Sequence, residues 1–401
     1  MMPPVDEADE NNQTDVSADD GIDRKKLLQI KQRFLLLNQA RYERTLHVLS
    51  ERQQNFLVLL PLLFHVNHPM LPGYIGHHTP AGIHGYTPSK NDIRAAKILA
   101  RSFTYKRDLA DKNNAIDALY LMGSLGTIAH SEISDIDVWV CHKGNLSTGA
   151  LAELQQKCLS LSRWATNVIH IETHFFLMNG QTFKEGQQIH LSGESSGSAQ
   201  HFLLLDEFYR TAVWLAGKLP LWWFVPVQEE KNYSEYTKNL LDKRFLRSSD
   251  VIDFGGVPAI PTNEFIGAGV WQLYKGIESP YKSVLKLLLL EAYANAQFSE
   301  PLSLDLKQKI YHATPNADEL DAYVLVYQRL EDYLLARNQI TRLELVRRCF
   351  YFKAGRSLSR SSRNSTKSWQ RLLLERFIKL WAWTPSQLTL LDNRAYWKSP
   401  H

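Results

Sequence analysis

The stretch GSLGTIAHSEISDIDVWVCH, residues 123–142, decides the fold. Side chains of an extended chain alternate, so Ile136, Val138 and Val140 share one face of a strand at 135–141. Asp135 and Asp137 share the other face. Two carboxylates side by side repel, and burying them unpaired costs roughly several kcal/mol or shifts a pKa. The pattern therefore predicts a buried strand whose acidic face meets a compensating cation. Just upstream, Gly123-Ser124 closes a short apolar strand at 119–122. A glycine lets backbone amides approach a phosphate, and the serine hydroxyl can bond its oxygens. The plainer reading is a turn glycine followed by a capping serine.

Downstream, Leu151, Leu154, Cys158, Leu161 and Ala165 recur at helical spacing, which predicts a helix over 150–164. The run NVIHIETHFFLM then reads as a long strand over 167–178. One face carries Ile169, Ile171, Thr173, Phe175 and Leu177, and the other His170, Glu172, His174 and Phe176. Glu172 is an isolated carboxylate there, and beside the 135–141 strand it completes three acids on one sheet face. Divalent cations with hard oxygen ligands are the natural compensation. The structural alternative pairs Glu172 with His170, His174 or an arginine. A helix over 200–218 and a strand from Pro220 follow. Beyond 234 helices dominate, at 268–276, 281–296, 317–336, 341–352 and from 368. Before the strands lie helices from Arg24 and at 56–64. The predicted class is α+β, a mixed sheet flanked by helices and followed by a mainly helical region.

The chain has 401 residues, 44% hydrophobic and 22% charged, enough for two or three domains. A net charge of +4 and a pI near 8.7 favour anionic ligands only weakly and demand no nucleic acid. Three cysteines without metal spacing fit free thiols in a reducing cytosol. No apolar run nears the roughly 20 residues of a spanning helix, and the start has no signal-peptide pattern. A cytoplasmic protein without membrane insertion is expected. Residues 1–23 read as a disordered acidic tail. Five histidines between His65 and His84 match no closed zinc site and read as loop or pocket lining. The basic residues from Arg342 to Arg376 read as a solvated helical face rather than a nucleic-acid surface, with a serine-rich loop at 356–367.

Gly-Ser followed by Asp-x-Asp resembles the DNA polymerase β-like nucleotidyltransferase superfamily. The sequence is more closely similar to the class I, enterobacterial-type adenylate cyclases. Residues 123–142 resemble that family's Gly-Ser segment with its Asp-Leu-Asp-Ile-Trp-Val-Cys-His ending. HPMLPGY, QHFLLLDEFYRTAVWLAGK, WQLYKGIESPYKSVLKLLLLEAY and TRLELVRRCFYFK resemble further stretches, so the similarity runs from about residue 27 to at least 353. One departure is Ala81 in TPAGI, where the family pattern has a lysine. Members usually continue into a long C-terminal regulatory region, so the chain is expected to be a catalytic fragment or a short member.

The resemblance implies conversion of ATP to 3′,5′-cyclic AMP and pyrophosphate. Residues 24–233 would form the catalytic nucleotidyltransferase-like domain, and 234–401 a helical domain completing the cleft. Asp135 and Asp137 would hold two Mg²⁺ ions, with Mn²⁺ as a substitute, and Glu172 would bind the ion nearer the nucleophile and accept the 3′-hydroxyl proton. Arg210, Lys218 and Lys282 are the candidates for neutralising the leaving pyrophosphate, or else paired surface residues. A phosphotransferase-system protein could regulate the longer enzyme through a region absent here. A nucleotidyltransferase with an external acceptor, or a nucleotide-sensing module without turnover, shares these acids.

Overall fold

A computed structural model describes residues 23–106, 114–186, 200–359 and 368–396, with the backbone alone for 394–396. Residues 1–22 of the acidic tail expected over 1–23, and the 360–367 part of the serine-rich loop, lie outside them. Helix α1 (Arg24–Val48) starts where Asp23 caps it, accepting from the Lys25 N–H at 2.8 Å. Then come α2 (Glu51–His65) and α3 (Lys90–Leu99), with the histidine-bearing loop between them. At the end of α2 the His65 Nδ1 accepts from the Ile83 N–H of that loop at 3.1 Å.

The sheet consists of β1 (Ile116–Met122), β2 (Ile136–His142), β3 (Thr173–Met178) and β4 (Val213–Gly217), in the order β3-β2-β1-β4. β1 is antiparallel to β2 and β4, while β2 and β3 are parallel. Helices α4 (Thr148–Trp164), α5 (Gly180–Lys184) and α6 (His201–Thr211) connect the strands. Leu119, Leu121, Ile136, Val138 and Val140 share one apolar cluster with α2, α3 and α4. Ala118, Tyr120, Met122, Trp139 and Cys141 face the opposite core, shared with α1, α6 and the C-terminal helices. Trp139 stacks on Phe208 of α6 with ring centroids 4.3 Å apart, so α6 lies directly on the acidic strand's face.

Beyond the sheet run α7 (Tyr233–Asp242), α8 (Thr262–Lys275), α9 (Pro280–Tyr293), α10 (Leu302–His312), α11 (Ala322–Ala336), α12 (Ile340–Ala354), α13 (Trp369–Leu380) and α14 (Pro385–Tyr396). α9 packs against α8, α11 and α12, burying Leu285, Leu288, Leu289 and Ala292. The α+β class with a mainly helical second part is what the sequence predicts. Among the described residues no helix is long and apolar enough to cross a membrane.

Three predicted elements differ. The strand expected over 167–178 is only Thr173–Met178, because α4 ends in one π-helical turn (Ala165–Ile169) and His170 adopts a left-handed φ of 61°. The helix expected over 200–218 stops at Thr211, and VWLAG becomes the edge strand β4. Asn38 of α1 bonds both the Trp214 carbonyl (3.0 Å) and its N–H (2.7 Å), standing in for a strand neighbour. The strand expected from Pro220 is two residues long (Leu219–Pro220) and turns into a 3₁₀ segment, Leu221–Phe224.

Candidate active site

β1 runs into Gly123, whose φ of +86° needs a residue without a side chain. A Cβ there would lie 3.6 Å from Asp137 Oδ2, so the Gly-Ser turn passes directly under the second aspartate. Asp135 is exposed at the mouth of β2 and Asp137 half-buried one pleat further in. Burial, then the neighbouring Asp135 charge, push the Asp137 carboxyl up to about 6, against the pull of Lys282 and His174. Burial and mutual repulsion thus disfavour charge on this pair at the start of β2, where a bound cation would relieve both.

Cations arrive from α9. Tyr323, Glu207, Asp135 and Asp137 hold the Lys282 ammonium above its ordinary range, against burial. One turn later Lys286 donates to both Glu207 oxygens at 3.0 and 2.9 Å. Burial opposes ionisation of Glu207, yet Lys286, Arg210 and Lys282 outweigh it and bring its carboxyl down to about 2. A further lysine, Lys353 of α12, donates to the Ala129 carbonyl at 3.2 Å. Glu207, Lys286 and Lys353 escape a motif search. One signal was present: in SPYKSVLK two lysines four apart fall on one face of an otherwise apolar helix.

The turn after Ser124 is held from outside the sheet. Gly126 has φ +71°, and a Cβ there would sit 2.5 Å from the Arg41 carbonyl of α1. Asp321, the cap of α11, accepts from the Ile128 N–H at 2.7 Å as well as from its own helix. The buried Gln370 of α13 donates to the Ile128 and His130 carbonyls at 3.2 and 2.7 Å. Ser124 is buried, and its carbonyl accepts from the Thr127 hydroxyl at 2.6 Å.

Two predicted basic residues are placed elsewhere. Lys218 pairs with Asp117 at 2.9 Å. Asp117 lies five positions before Met122 on β1, about 17 Å along the strand from the aspartates, so Lys218 leaves the candidate set. Arg210 is buried, 3.8 Å from Asp206 and donating to the Ala322 carbonyl at 3.2 Å. It backs Glu207 and lines, with Glu207 and Lys286, a small cavity whose walls do not include the aspartates. Glu172 precedes β3. Its carbonyl accepts from the Ile136 N–H at 2.9 Å, and the parallel register sets it beside Asp135. Its carboxylate is 70% exposed and meets the His174 Nε2 at 3.1 Å. The long strand that would have aimed it at the aspartates is missing. Among the described residues no three His, Cys, Asp or Glu side chains converge as a metal cage.

The family model described as adenylate cyclase NT domain matches residues 26–223, and that of the class-I adenylate cyclase second domain matches residues 260–401. The chain is 40% identical over 371 residues to an adenylate cyclase of Yersinia intermedia and 41% over 373 to one of Salmonella typhimurium. It is 40% identical over 377 residues to one of Escherichia coli K12. Each alignment covers 92% of this chain and 43% of the relative, so the chain spans less than half the length of these curated relatives. No solved structure matches it.

Proposed function

Because the chain belongs to the class-I adenylate cyclase family, we propose that it converts ATP to 3′,5′-cyclic AMP and pyrophosphate at the Asp135–Asp137 corner. The observation that carries this reading is the juxtaposition of that acid pair with a glycine turn beneath it and Lys282 facing it. Two hard carboxylates that repel each other on one strand face suit Mg²⁺, so Asp135 and Asp137 are the residues that would hold it. The chemistry such ions supply is a more acidic ribose hydroxyl and partial neutralisation of phosphate charge.

The protein's own groups do the rest. Gly123 leaves room for the phosphate chain against the turn, and Ser124 lies next to it. Lys282, with Lys286 behind it on α9, stabilises charge that builds on the leaving group. The ribose 3′ oxygen bonds to the α-phosphorus as the bond from that phosphorus to the α–β bridging oxygen breaks. Pyrophosphate departs with the bridging oxygen and its electron pair. The hydroxyl proton goes to Glu172, the carboxylate next in register to Asp135, whose exposure lets water carry it onward. Glu172 acts in this scheme as an acceptor and not as a third metal ligand.

The test is product analysis with purified protein, ATP and Mg²⁺. Cyclic AMP and pyrophosphate in equal amounts support the reading. Nucleotidyl label on an added acceptor, or ATP binding without turnover, would replace it.

A further inference from the structure

Three lysines of the helical region lie within electrostatic reach of one another, Lys282 and Lys353 beside the aspartates and Lys286 beside Glu207. Lys286 has Glu207, and Lys282 faces Glu207, Asp135 and Asp137. Lys353 is different. Among the described residues its hydrogen bond goes to one backbone carbonyl, Ala129, and its ammonium lies 5.9 Å from the Tyr323 ring centroid. An ammonium has three donors, so one carbonyl leaves two for something else. Its neighbours on α12 behave otherwise: Arg347 pairs with Glu331 at 3.3 Å and Arg348 with Glu344 at 3.0 Å, each turned to a carboxylate of the helical region. Lys353 turns to the Gly-Ser turn, half-buried, within electrostatic reach of Asp135, Lys282 and Lys286. Burial, then Lys282, push its ammonium down to about 8 against the pull of Asp135, with Lys286 adding to the fall.

We propose that Lys353 is a phosphate-binding residue of this cleft, which holds the pyrophosphate moiety from α12 while Lys282 and Lys286 approach it from α9. The proposal rests on the reading of the cleft as a nucleotide site, and adds that the helical region supplies a ligand contact as well as packing. The competing role is purely structural: Lys353 would only pin the Ala129 carbonyl.

Binding of inorganic pyrophosphate with Mg²⁺, measured by calorimetry on the full chain, separates the two. Lys353→Met should weaken binding about tenfold or more, the loss of one charge-assisted contact, and Lys353→Arg should restore most of it. Unchanged affinity in Lys353→Met overturns the proposal. So does an equal loss in both variants that follows a lowered melting temperature. Should Lys353→Met fail to fold, the unaltered protein supplies the test through amine acylation read by peptide mass spectrometry. Pyrophosphate should slow modification of Lys353 at least about fivefold while leaving the exposed Lys25 unaffected. Equal labelling with and without pyrophosphate overturns the proposal. The two readings fail separately. Lys353-dependent pyrophosphate binding without cyclic AMP would remove the proposed reaction alone, and a working cyclase indifferent to Lys353→Met would remove this assignment alone.

Discussion

The unfolded Asp137 carboxyl titrates near 4, whereas burial and Asp135 push the folded one up to about 6. Between those values the folded chain holds more protons than the unfolded, so stability falls as pH rises through that window. Asp137→Asn should therefore raise the melting temperature in chelator at pH 7.5, by an amount worth on the order of 1–2 kcal/mol, and the gain should vanish near pH 4. Calorimetry at both pH values checks this, and a lower melting point at pH 7.5 contradicts it. Asp135→Asn and Asp137→Asn should each lower turnover at least about 100-fold with the fold retained. Glu172→Gln tests the weaker assignment. A lost proton acceptor lowers turnover by roughly 100-fold or more at unchanged ATP affinity, whereas a carboxylate that merely pairs with His174 leaves turnover intact when mutated. The aspartates were legible because strand alternation fixes their shared face. Glu172 was legible only in part, since a left-handed His170 cannot be read from an apolar run.

The element that matters most is the turn from Gly123 to His130, between the two strands of the proposed site. Its shape depends on positive φ at Gly123 and Gly126 and on side chains of α11 and α13. Gly126→Ala forces a Cβ to within 2.5 Å of the Arg41 carbonyl, so the turn or α1 must shift. The expected outcome is a loss of about 1–3 kcal/mol in denaturant unfolding together with reduced turnover. A variant as stable and active as the parent would show that the turn tolerates displacement. Strand β2 follows the sequence reading closely because it is an apolar run opened by charges, whereas β1 starts three residues before the expected 119–122, carried across Asp117 by its pairing with β2 and β4. β4 did not follow the reading, since VWLA continues the apolar character of α6 with no breaker before Gly217. That glycine is required: at φ +92° a Cβ would meet the Asp117 carbonyl at 2.2 Å. The helical periodicity ran on past the true end, and the edge position of β4, visible only in three dimensions, decided the outcome.

At the scale of the molecule, the sheet supplies the acids and the helical region supplies much of what surrounds them. Lys282 and Lys286 come from α9, Tyr323 from α11 and Lys353 from α12, between about 145 and 220 residues after Asp135. Apart from the i,i+4 pair Lys282 and Lys286 on an otherwise apolar helix, such residues sit in ordinary amphipathic patterns whose spacing does not report which of them turn inward. Lys218 shows the converse error: a lysine inside a family-like stretch, placed at the far end of β1 beside Asp117. The apolar core is continuous through α1, the acidic face of the sheet and the C-terminal helices, so the cleft forms only when these pack together. The central claim is that this cleft cyclises ATP at the Asp135–Asp137 pair. Its most direct test follows α-labelled ATP and Mg²⁺ with the unaltered chain and Asp137→Asn side by side. The expected result is labelled cyclic AMP matched one-to-one by pyrophosphate in the first and essentially none in the second. Equal cyclic AMP from both proteins, or label recovered on another acceptor, would contradict the account.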